Sequence, residues 1–229
     1  MSIMKKYKKK FHIFKDLLAK ENPVIVEIGA HFGEDSMRFC EVFKDPTIYC
    51  IEPDPRCIKI FKKHVKNKNI KLYEVAFSDK NGEMNFYQSY KPNEIKTPEK
   101  YNWISDDDYK KYKLGNSGSS SLKKGYKHIL DETIKVQVVR FDDWAEQNNI
   151  EKLDLAWIDV QGSEKNVLTG MGDSIYKIKY IWIEYGEKEY EGAMSRQETI
   201  SYMADKGYRV INFMSSFSDS GDLMFESVK

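Results

Sequence analysis

The chain has 229 residues and a formal net charge of +1, and 41% of its residues are hydrophobic and 32% charged. This length allows one domain with a sizeable core and does not require two, so we expect a single domain over residues 1–229. The near-zero net charge gives no global basic field that would demand a nucleic-acid partner. No run reaches the roughly twenty apolar residues of a membrane span, and the N-terminus lacks the apolar core of a signal peptide.

The first third of the chain is predicted to alternate helices with strands. Residues 1–21 form a predicted basic helix, because a lysine run at 5–10 precedes phenylalanines and leucines at helical spacing over 9–20. Apolar runs then predict strands at 24–28, 47–51 and 70–77, the last with an extended continuation at 83–87, and helices at about 34–44 and 56–66.

Residues 89–128 interrupt this alternation. The segment contains two prolines, a glycine- and serine-rich stretch at 115–121, and many tyrosines and lysines. Long insertions of this kind in a compact domain are usually functional or mobile. We expect either a lid whose aromatic side chains stack on a substrate or a loop with its own small core.

The alternation resumes after the insertion. Strands are predicted at 134–139, 153–160, 180–185, 208–213 and 222–226, with helices beginning near 141 and 163 and a further helix at 195–206. Strands that alternate with helices favour a mostly parallel sheet with right-handed crossovers. The final two strands, joined by serines and a glycine, predict an antiparallel edge hairpin. The predicted fold is therefore α/β and Rossmann-like, with a mostly parallel seven-stranded sheet.

Residues 24–33 are typical of a nucleotide-type cofactor site. An apolar strand carries Glu27 near its end, Gly29 and Gly33 allow a ligand to approach the backbone, and Glu52 ends the next strand where a ribose-binding carboxylate is expected. The dinucleotide fingerprint has a third glycine where this chain has His31, and Glu27 would repel a diphosphate. We therefore predict S-adenosylmethionine as cofactor, with its ribose on Glu52, its ammonium near Glu27 and His31 beside it.

Other polar residues are predicted at the same edge of the sheet. Ser78 and Asp79 are candidates for contact with the adenine, and Asp159 is a candidate both for cofactor contact and for the catalytic base. Glu184 and His128 are the next candidates for the base. Each position also has a structural explanation: turn chemistry for Ser78 and Asp79, helix capping for Asp159 and, by the same logic, Glu184, and a structural histidine for His128. No spacing specifies a metal, although a divalent ion between Asp159 and Glu184 is conceivable.

Four stretches of the chain together resemble the FkbM family of S-adenosylmethionine-dependent methyltransferases. They lie at 26–33, 51–53, 141–144 and 153–170, and the Asp159–Glu164 stretch is the most specific of them. The resemblance runs from about residue 22 to 213 outside the insertion. It implies a class I methyltransferase fold and methyl transfer to a hydroxyl group of a sugar, glycan or other small molecule. Trp157 and Gln161 stand where the family usually carries lysine and glutamate, so no role is carried over to them.

Two other functions stay open. An NAD(P)-dependent oxidoreductase would use the same turn and Glu52, although His31 and Glu27 speak against it. An RNA or nucleoside methyltransferase, or a nucleic-acid-binding protein, would use the N-terminal lysines and the tyrosines and lysines of the insertion, although the net charge disfavours it. The three cysteines form no Cys-x-x-Cys pair, which favours reduced thiols in a cytoplasmic protein. The oligomeric state is left undetermined.

Overall fold

A computed structural model describes residues 3–125, 133–186, 190–211 and 220–228, with side chains described from residue 11 onward. Its strands are β1 (Val24–Ile28), β2 (Thr47–Ile51), β3 (Ile70–Tyr73), β4 (Ala76–Ser78), β5 (Gly82–Phe86), β6 (Ile134–Arg140), β7 (Leu153–Ile158), β8 (Ile178–Gly186), β9 (Tyr208–Val210) and β10 (Ser220–Ser227). Its α-helices are α1 (Ile3–Leu18), α2 (Glu34–Val42), α3 (Pro55–His64), α4 (Asp106–Lys111), α5 (Phe141–Gln147), α6 (Glu164–Gly170) and α7 (Arg196–Asp205).

The main sheet has seven strands in the order β3-β2-β1-β7-β8-β10-β9. Strands β3, β2, β1, β7 and β8 are parallel, and β10 runs antiparallel to both β8 and β9. The predicted mostly parallel sheet with an antiparallel C-terminal pair is therefore confirmed. The second strand of that pair lies inside the sheet, since Leu223, Met224 and Phe225 of β10 are buried, and the short β9 forms the edge.

The continuous strand predicted at 70–77 is wrong in one respect. The chain leaves the main sheet after Tyr73, and β4 pairs instead with β6 in a second sheet of order β4-β6-β5. The predicted strand at 134–139 therefore belongs to the second sheet. Strand β4 can leave the main sheet because Ala76, Phe77 and Ser78 are buried and find their backbone partners in Val138–Arg140 of β6.

Both faces of the main sheet are covered, as the near-continuous apolar runs of its strands require. On one face α1 and α2 pack an aromatic cluster, in which the rings of Trp157 and Trp182 stack with centroids 4.9 Å apart. Phe11 and Phe14 of α1 join this cluster, which explains why the helical spacing of these residues was a reliable signal. Among the residues that the structure describes, no helix is both long and apolar enough to cross a membrane.

The described part of the insertion has a small core of its own, which is one of the two alternatives expected for it. Tyr101, Ile104, Tyr109 and Leu114 are buried against Phe32 and against Ile60 of α3. The segment that follows, with a 3-10 turn at Ser117–Ser119, returns to the ends of the main-sheet strands. The insertion therefore contributes the wall of the site described below.

Candidate active site

The register of the sheet places four predicted residues in one row. Ile28 of β1 pairs with Ile51 of β2 and with Ile158 of β7, and Ile158 pairs with Ile183 of β8. The residues that follow these positions are Gly29, Glu52, Asp159 and Glu184. The structure thus brings these four together at the carboxyl edge of the sheet, where ligands of open α/β sheets bind.

Glu52 is held in place by backbone hydrogen bonds. Its Oε2 accepts from the backbone N–H of His31 at 2.7 Å, and its Oε1 accepts from the backbone N–H of Asp54 at 2.7 Å. The side chain is only 6% exposed, and burial, together with the negative charge of Asp54, raises its pKa to about 8. The carboxyl group therefore has a fixed orientation and remaining lone pairs, which suits hydroxyl donors such as those of a ribose.

The backbone N–H groups of the turn after β1 are already used within the protein. Gly29 and Ala30 donate to the carbonyl oxygen of Ile51 at 2.9 and 3.0 Å. His31 donates to Glu52, and Phe32 donates to the carboxylate of Glu34 at 3.1 Å. A dinucleotide site instead directs such N–H groups at the pyrophosphate. This turn therefore favours a cofactor without a diphosphate.

The two glycines of the turn serve different purposes. Gly29 has φ +91°, and a Cβ there would lie 1.8 Å from the carbonyl oxygen of Asp159, so β1 and β7 approach closely only because the side chain is missing. Gly33 has φ +80°, and a Cβ there would lie 2.6 Å from the ring of Phe61. The structure thus places Gly33 behind the turn, against α3, and its small size is explained by helix packing rather than by ligand approach.

His31 connects the turn to the insertion. It has φ +52°, its Nδ1 lies 3.1 Å from Oε1 of Glu34, and its Nε2 lies 2.8 Å from Oγ of Ser117. Burial alone would raise the pKa of Glu34, but the charge of the neighbouring His31 acts against this effect and helps to lower that pKa to about 2. His31 is therefore part of the wall between turn and insertion, and its ring is engaged on both nitrogens.

Asp159 and Glu184 lie side by side and share a hydrogen-bond donor. The amide Nε2 of Gln161 donates to Oδ1 of Asp159 at 2.6 Å and to Oε2 of Glu184 at 2.8 Å. Burial raises the pKa of Glu184 to about 11, and the charge of Asp159 and a hydrogen bond to it act in the same direction. Within the described ranges, no group of three or more histidine, cysteine or acidic side chains has the arrangement of a metal site.

Two further carboxyl groups lie behind this row. Glu27 is 3% exposed and accepts a short hydrogen bond from Oγ of Ser36, and burial, followed by the charge of Asp35, raises its pKa well above the usual range. Glu164 is 2% exposed at the start of α6 and accepts from the backbone N–H groups of Val160 and Gly162. Burial raises its pKa to about 7.

Ser78 and Asp79 have structural contacts. Ser78 is fully buried, its Oγ donates to Oδ1 of Asp79 at 3.1 Å, and its carbonyl oxygen lies where a Cβ on Gly170 of α6 would come within 2.0 Å. The carbonyl oxygen of Asp79 accepts from Arg140 at 2.8 Å. Turn chemistry thus accounts for both residues, and their contact with an adenine stays a prediction. His128, the other candidate base, lies outside the described residues.

Two adjoining cavities open at the carboxyl edge. The first lies between the ends of β1, β2 and β7 and is lined largely by apolar residues, among them Ile51, Phe77, Phe86 and Leu122. The second, of about 1420 Å³ with its open mouth, is polar and carries seven acidic residues on its walls: Glu27, Glu34, Asp35, Glu94, Asp159, Glu184 and Asp222. Gly29, His31, Asp159 and Gln161 line both cavities, so the junction between them lies beside Asp159.

A buried ion pair fixes the insertion beside Glu52, and no local sequence pattern predicts it. The guanidinium of Arg56 donates to Oδ2 of Asp54 at 2.7 Å, and Asp54 is 1% exposed. The same guanidinium donates to the carbonyl oxygens of Ser89 and Lys113 and to Oγ of Ser120. Asp54 and Arg56 are residue types common at the start of a helix, and their contacts with the insertion become visible only in the folded chain.

Comparisons with known proteins agree with this geometry. A family model described as the methyltransferase FkbM domain matches residues 27–210. The chain is 33% identical over 187 residues to a 2-O-methyltransferase NoeI of Sinorhizobium fredii (strain NBRC 101917 / NGR234), covering 78% of this chain and 70% of the relative. It is 22% identical over 199 residues to a methyltransferase sdnD of Sordaria araneosa, covering 82% and 74%.

Solved structures show the same fold. Aeropyrum pernix fibrillarin with natively bound S-adenosyl-L-methionine is similar over 95% of this chain and 74% of its own, with a TM-score of 0.52 and 12% identity. A SAM-dependent methyltransferase from Aquifex aeolicus is similar over 96% and 89%, with a TM-score of 0.50 and 12% identity. The fold is therefore that of the class I methyltransferases.

Proposed function

The chain belongs to the FkbM methyltransferase family, and from this premise we propose that it methylates a hydroxyl group of an uncharged or cationic small molecule such as a sugar. As a member of this family it is a methyltransferase that uses S-adenosylmethionine, which sets aside the oxidoreductase alternative. The observation that carries the proposal is the position of Asp159 at the junction of an apolar and a polar cavity.

The first cavity fits the adenosine part of the cofactor. Ile51, Phe77 and Leu122 offer apolar surface for a base, and Glu52 at its edge offers an oriented carboxyl group for ribose hydroxyls. Gly29 contributes only backbone atoms to the wall of this cavity. The methionine part would extend toward the junction, where Glu27 lies in the second cavity as the predicted neighbour of its ammonium. When bound, S-adenosylmethionine supplies a methyl group on a positively charged sulfur.

The second cavity fits the acceptor. Asp159 lines it and lies beside the junction, so its carboxylate is placed to take the proton that an acceptor hydroxyl loses as its oxygen gains the methyl group. Binding two reactants in adjoining cavities with fixed walls supplies much of the rate, since positioning alone contributes roughly 7–11 kcal/mol in favourable cases. Asp159 is therefore proposed as the base.

The charge of the second cavity limits the acceptor. Its walls carry seven acidic residues, against the basic Arg38 and Lys100, and Arg38 pairs with Asp35 at 2.5 Å. Such a surface repels phosphates, which argues against RNA and phosphorylated sugars as acceptors. Neutral polyols and amino sugars meet no such repulsion. The name of the bacterial relative, a 2-O-methyltransferase, supports a hydroxyl acceptor.

Titration calorimetry with S-adenosylmethionine, followed by a screen of hydroxylated acceptors with a labelled methyl donor, tests the proposal. We expect Glu52→Ala to lose cofactor binding and Asp159→Asn to bind the cofactor but transfer no methyl group. Glu74→Ala is the matched control for Glu52→Ala, because Glu74 follows β3 as Glu52 follows β2 and its side chain is half exposed. Asp143→Asn is the matched control for Asp159→Asn. Cofactor affinity in Glu52→Ala equal to that of the wild type, or unimpaired turnover in Asp159→Asn, would contradict the assignment. Methylation of phosphorylated acceptors alone would contradict the acceptor class.

A further inference from the structure

We propose that Gln161 is a positioning residue that holds Asp159 and Glu184 as a pair with one shared proton and one negative charge. The proposal concerns the base of the proposed function, but the pair itself can be tested in the free protein. The geometry of three residues carries the inference: the two carboxyl groups at adjacent strand ends and the amide between them.

The side chain of Gln161 uses all of its hydrogen-bonding atoms in one orientation. Its Nε2 donates to Asp159 and to Glu184, and its Oε1 accepts from the hydroxyl of Tyr190 at 3.0 Å. The same hydroxyl lies 2.9 Å from the carbonyl oxygen of Ser119, so its single hydrogen is shared between two acceptors. Because an ionised carboxylate only accepts hydrogen bonds, the amide nitrogen faces the carboxyl groups and Oε1 faces the tyrosine hydroxyl. The insertion thus helps to orient the amide through Tyr190.

The backbone is shaped to place this side chain. Gln161 has φ +54°, a conformation that residues with a side chain rarely adopt, and Gly162 has φ +91°. A Cβ on Gly162 would lie 2.4 Å from Cβ of Tyr190, so the turn is pressed against that residue. Strained positions of this kind persist where the surroundings fix them, and they cluster at functional sites.

The surroundings allow the pair only one negative charge. The charged groups that face it come from several elements: Glu27 of β1, Asp35 and Arg38 of α2, Glu164 of α6, Asp222 of β10 and Lys100 of the insertion. Most of these are acidic, and Glu184 is partly buried among them. Its pKa, raised to about 11, agrees with a proton held on Glu184. A protonated Glu184 donates to Asp159 and leaves that carboxylate as the acceptor of a substrate proton.

Gln161→Met and Gln161→Asn separate positioning from stability. Methionine keeps the length of the side chain but removes both donors. Asparagine keeps the amide, tolerates positive φ better than glutamine and is one methylene too short to reach both carboxyl groups. We expect Gln161→Asn to be at least as stable as the wild type and still to disturb the pair. Gln197→Met, an exposed position on α7, is the matched control.

The measurement is a carbon-13 NMR titration of carboxyl-labelled free protein, with Glu184→Gln used to assign the Glu184 signal. In the wild type we expect Glu184 to stay protonated from pH 5 to pH 8 and the first ionisation of the pair to lie below that range. Loss of a donor to the charged form should move this first step to higher pH by about one to two units in both Gln161 variants, and not in Gln197→Met. A Glu184 signal that titrates below pH 8, or unchanged titration in both Gln161 variants, would overturn the proposal. Either result is independent of whether an acceptor hydroxyl is found.

Discussion

We expect the binding of S-adenosylmethionine to release a proton from Glu52. Burial and the charge of Asp54 raise the pKa of this carboxyl group to about 8 in the free protein. At pH 7 a group with that pKa is protonated in about nine of ten molecules. Hydroxyl donors bind an ionised carboxylate more strongly than a neutral acid, so formation of the complex should release up to about 0.9 proton at pH 7.

Titration calorimetry at pH 7 in two buffers with different ionisation enthalpies measures this release directly. The Glu52→Gln variant has no proton to lose, so the release should vanish. It also replaces a charged acceptor by a neutral one, which costs about 1.5–3 kcal/mol and raises Kd roughly 10- to 150-fold. Glu74→Gln, at the equivalent place after β3, should match the wild type. Absence of proton release at pH 7, or equal release in Glu52→Gln, would refute the reasoning.

The same pKa predicts how stability depends on pH. Because the pKa of Glu52 is higher in the folded protein than the ordinary value of 4.5, its contribution to stability is complete below pH 4.5 and is lost as the pH rises toward 8. Between pH 5.5 and pH 9 the free energy of unfolding of the wild type should fall by about 3 kcal/mol relative to Glu52→Gln. Urea denaturation of both proteins at the two pH values measures this difference, in which other titrating groups cancel. A difference that does not change with pH would show that the carboxyl group has an ordinary pKa.

Two further substitutions test the frame of the site. Arg56→Met leaves the buried carboxylate of Asp54 without its partner, so the free energy of unfolding, measured by urea denaturation, should fall by about 3–5 kcal/mol. Adding Asp54→Asn to the same chain should restore part of this loss. A fall below about 1 kcal/mol would contradict the role of the ion pair. Gly29→Ala places a Cβ 1.8 Å from the carbonyl oxygen of Asp159, so it should abolish cofactor binding and lower Tm strongly. Gly82→Ala is the control for backbone strain alone, because Gly82 has φ +123° and nothing within 4 Å of an added Cβ, and it should keep cofactor binding. Equal effects of the two substitutions would contradict the close approach of β1 to β7.

The row of candidate residues at the sheet edge could be predicted because it depends on local patterns. Glu52, Asp159 and Glu184 each follow or end an apolar run, and parallel strands align their carboxyl ends by register. The missing third glycine was informative for the same reason, since the turn around His31 uses its own N–H groups internally. These inferences need only the order of strands and the residue after each one.

The remaining features depend on contacts between distant segments, which no local pattern specifies. The break after Tyr73 depends on β6, sixty residues later in the chain, as the partner of β4. Arg56 finds its acceptors in the insertion, and Gln161 finds its orientation in Tyr190. Gly33, predicted to face the ligand, faces α3 because the turn has a left-handed residue on either side of Phe32. Sequence identifies the residues at the sheet edge, and tertiary packing decides which of them point into the cavities.

The acidity of the site predicts how it distinguishes cofactor from product. Burial raises the pKa of Glu52 to about 8 and that of Glu164, which lies behind the row, to about 7, so the free protein holds protons here near neutral pH. S-adenosylmethionine brings a positively charged sulfur, which favours the ionised carboxyl groups, whereas S-adenosylhomocysteine, the product, has a neutral sulfur. Two unit charges about 5 Å apart interact by about 3 kcal/mol at an effective dielectric constant of 20, so partial screening still leaves a measurable effect.

We expect the ratio of the product's Kd to the cofactor's Kd to rise about tenfold between pH 6 and pH 9, equivalent to about 1.4 kcal/mol, and to rise less in Glu52→Gln. Calorimetry with both ligands measures the ratio, and parallel pH profiles for the two would show that the carboxyl groups do not sense the charge on sulfur.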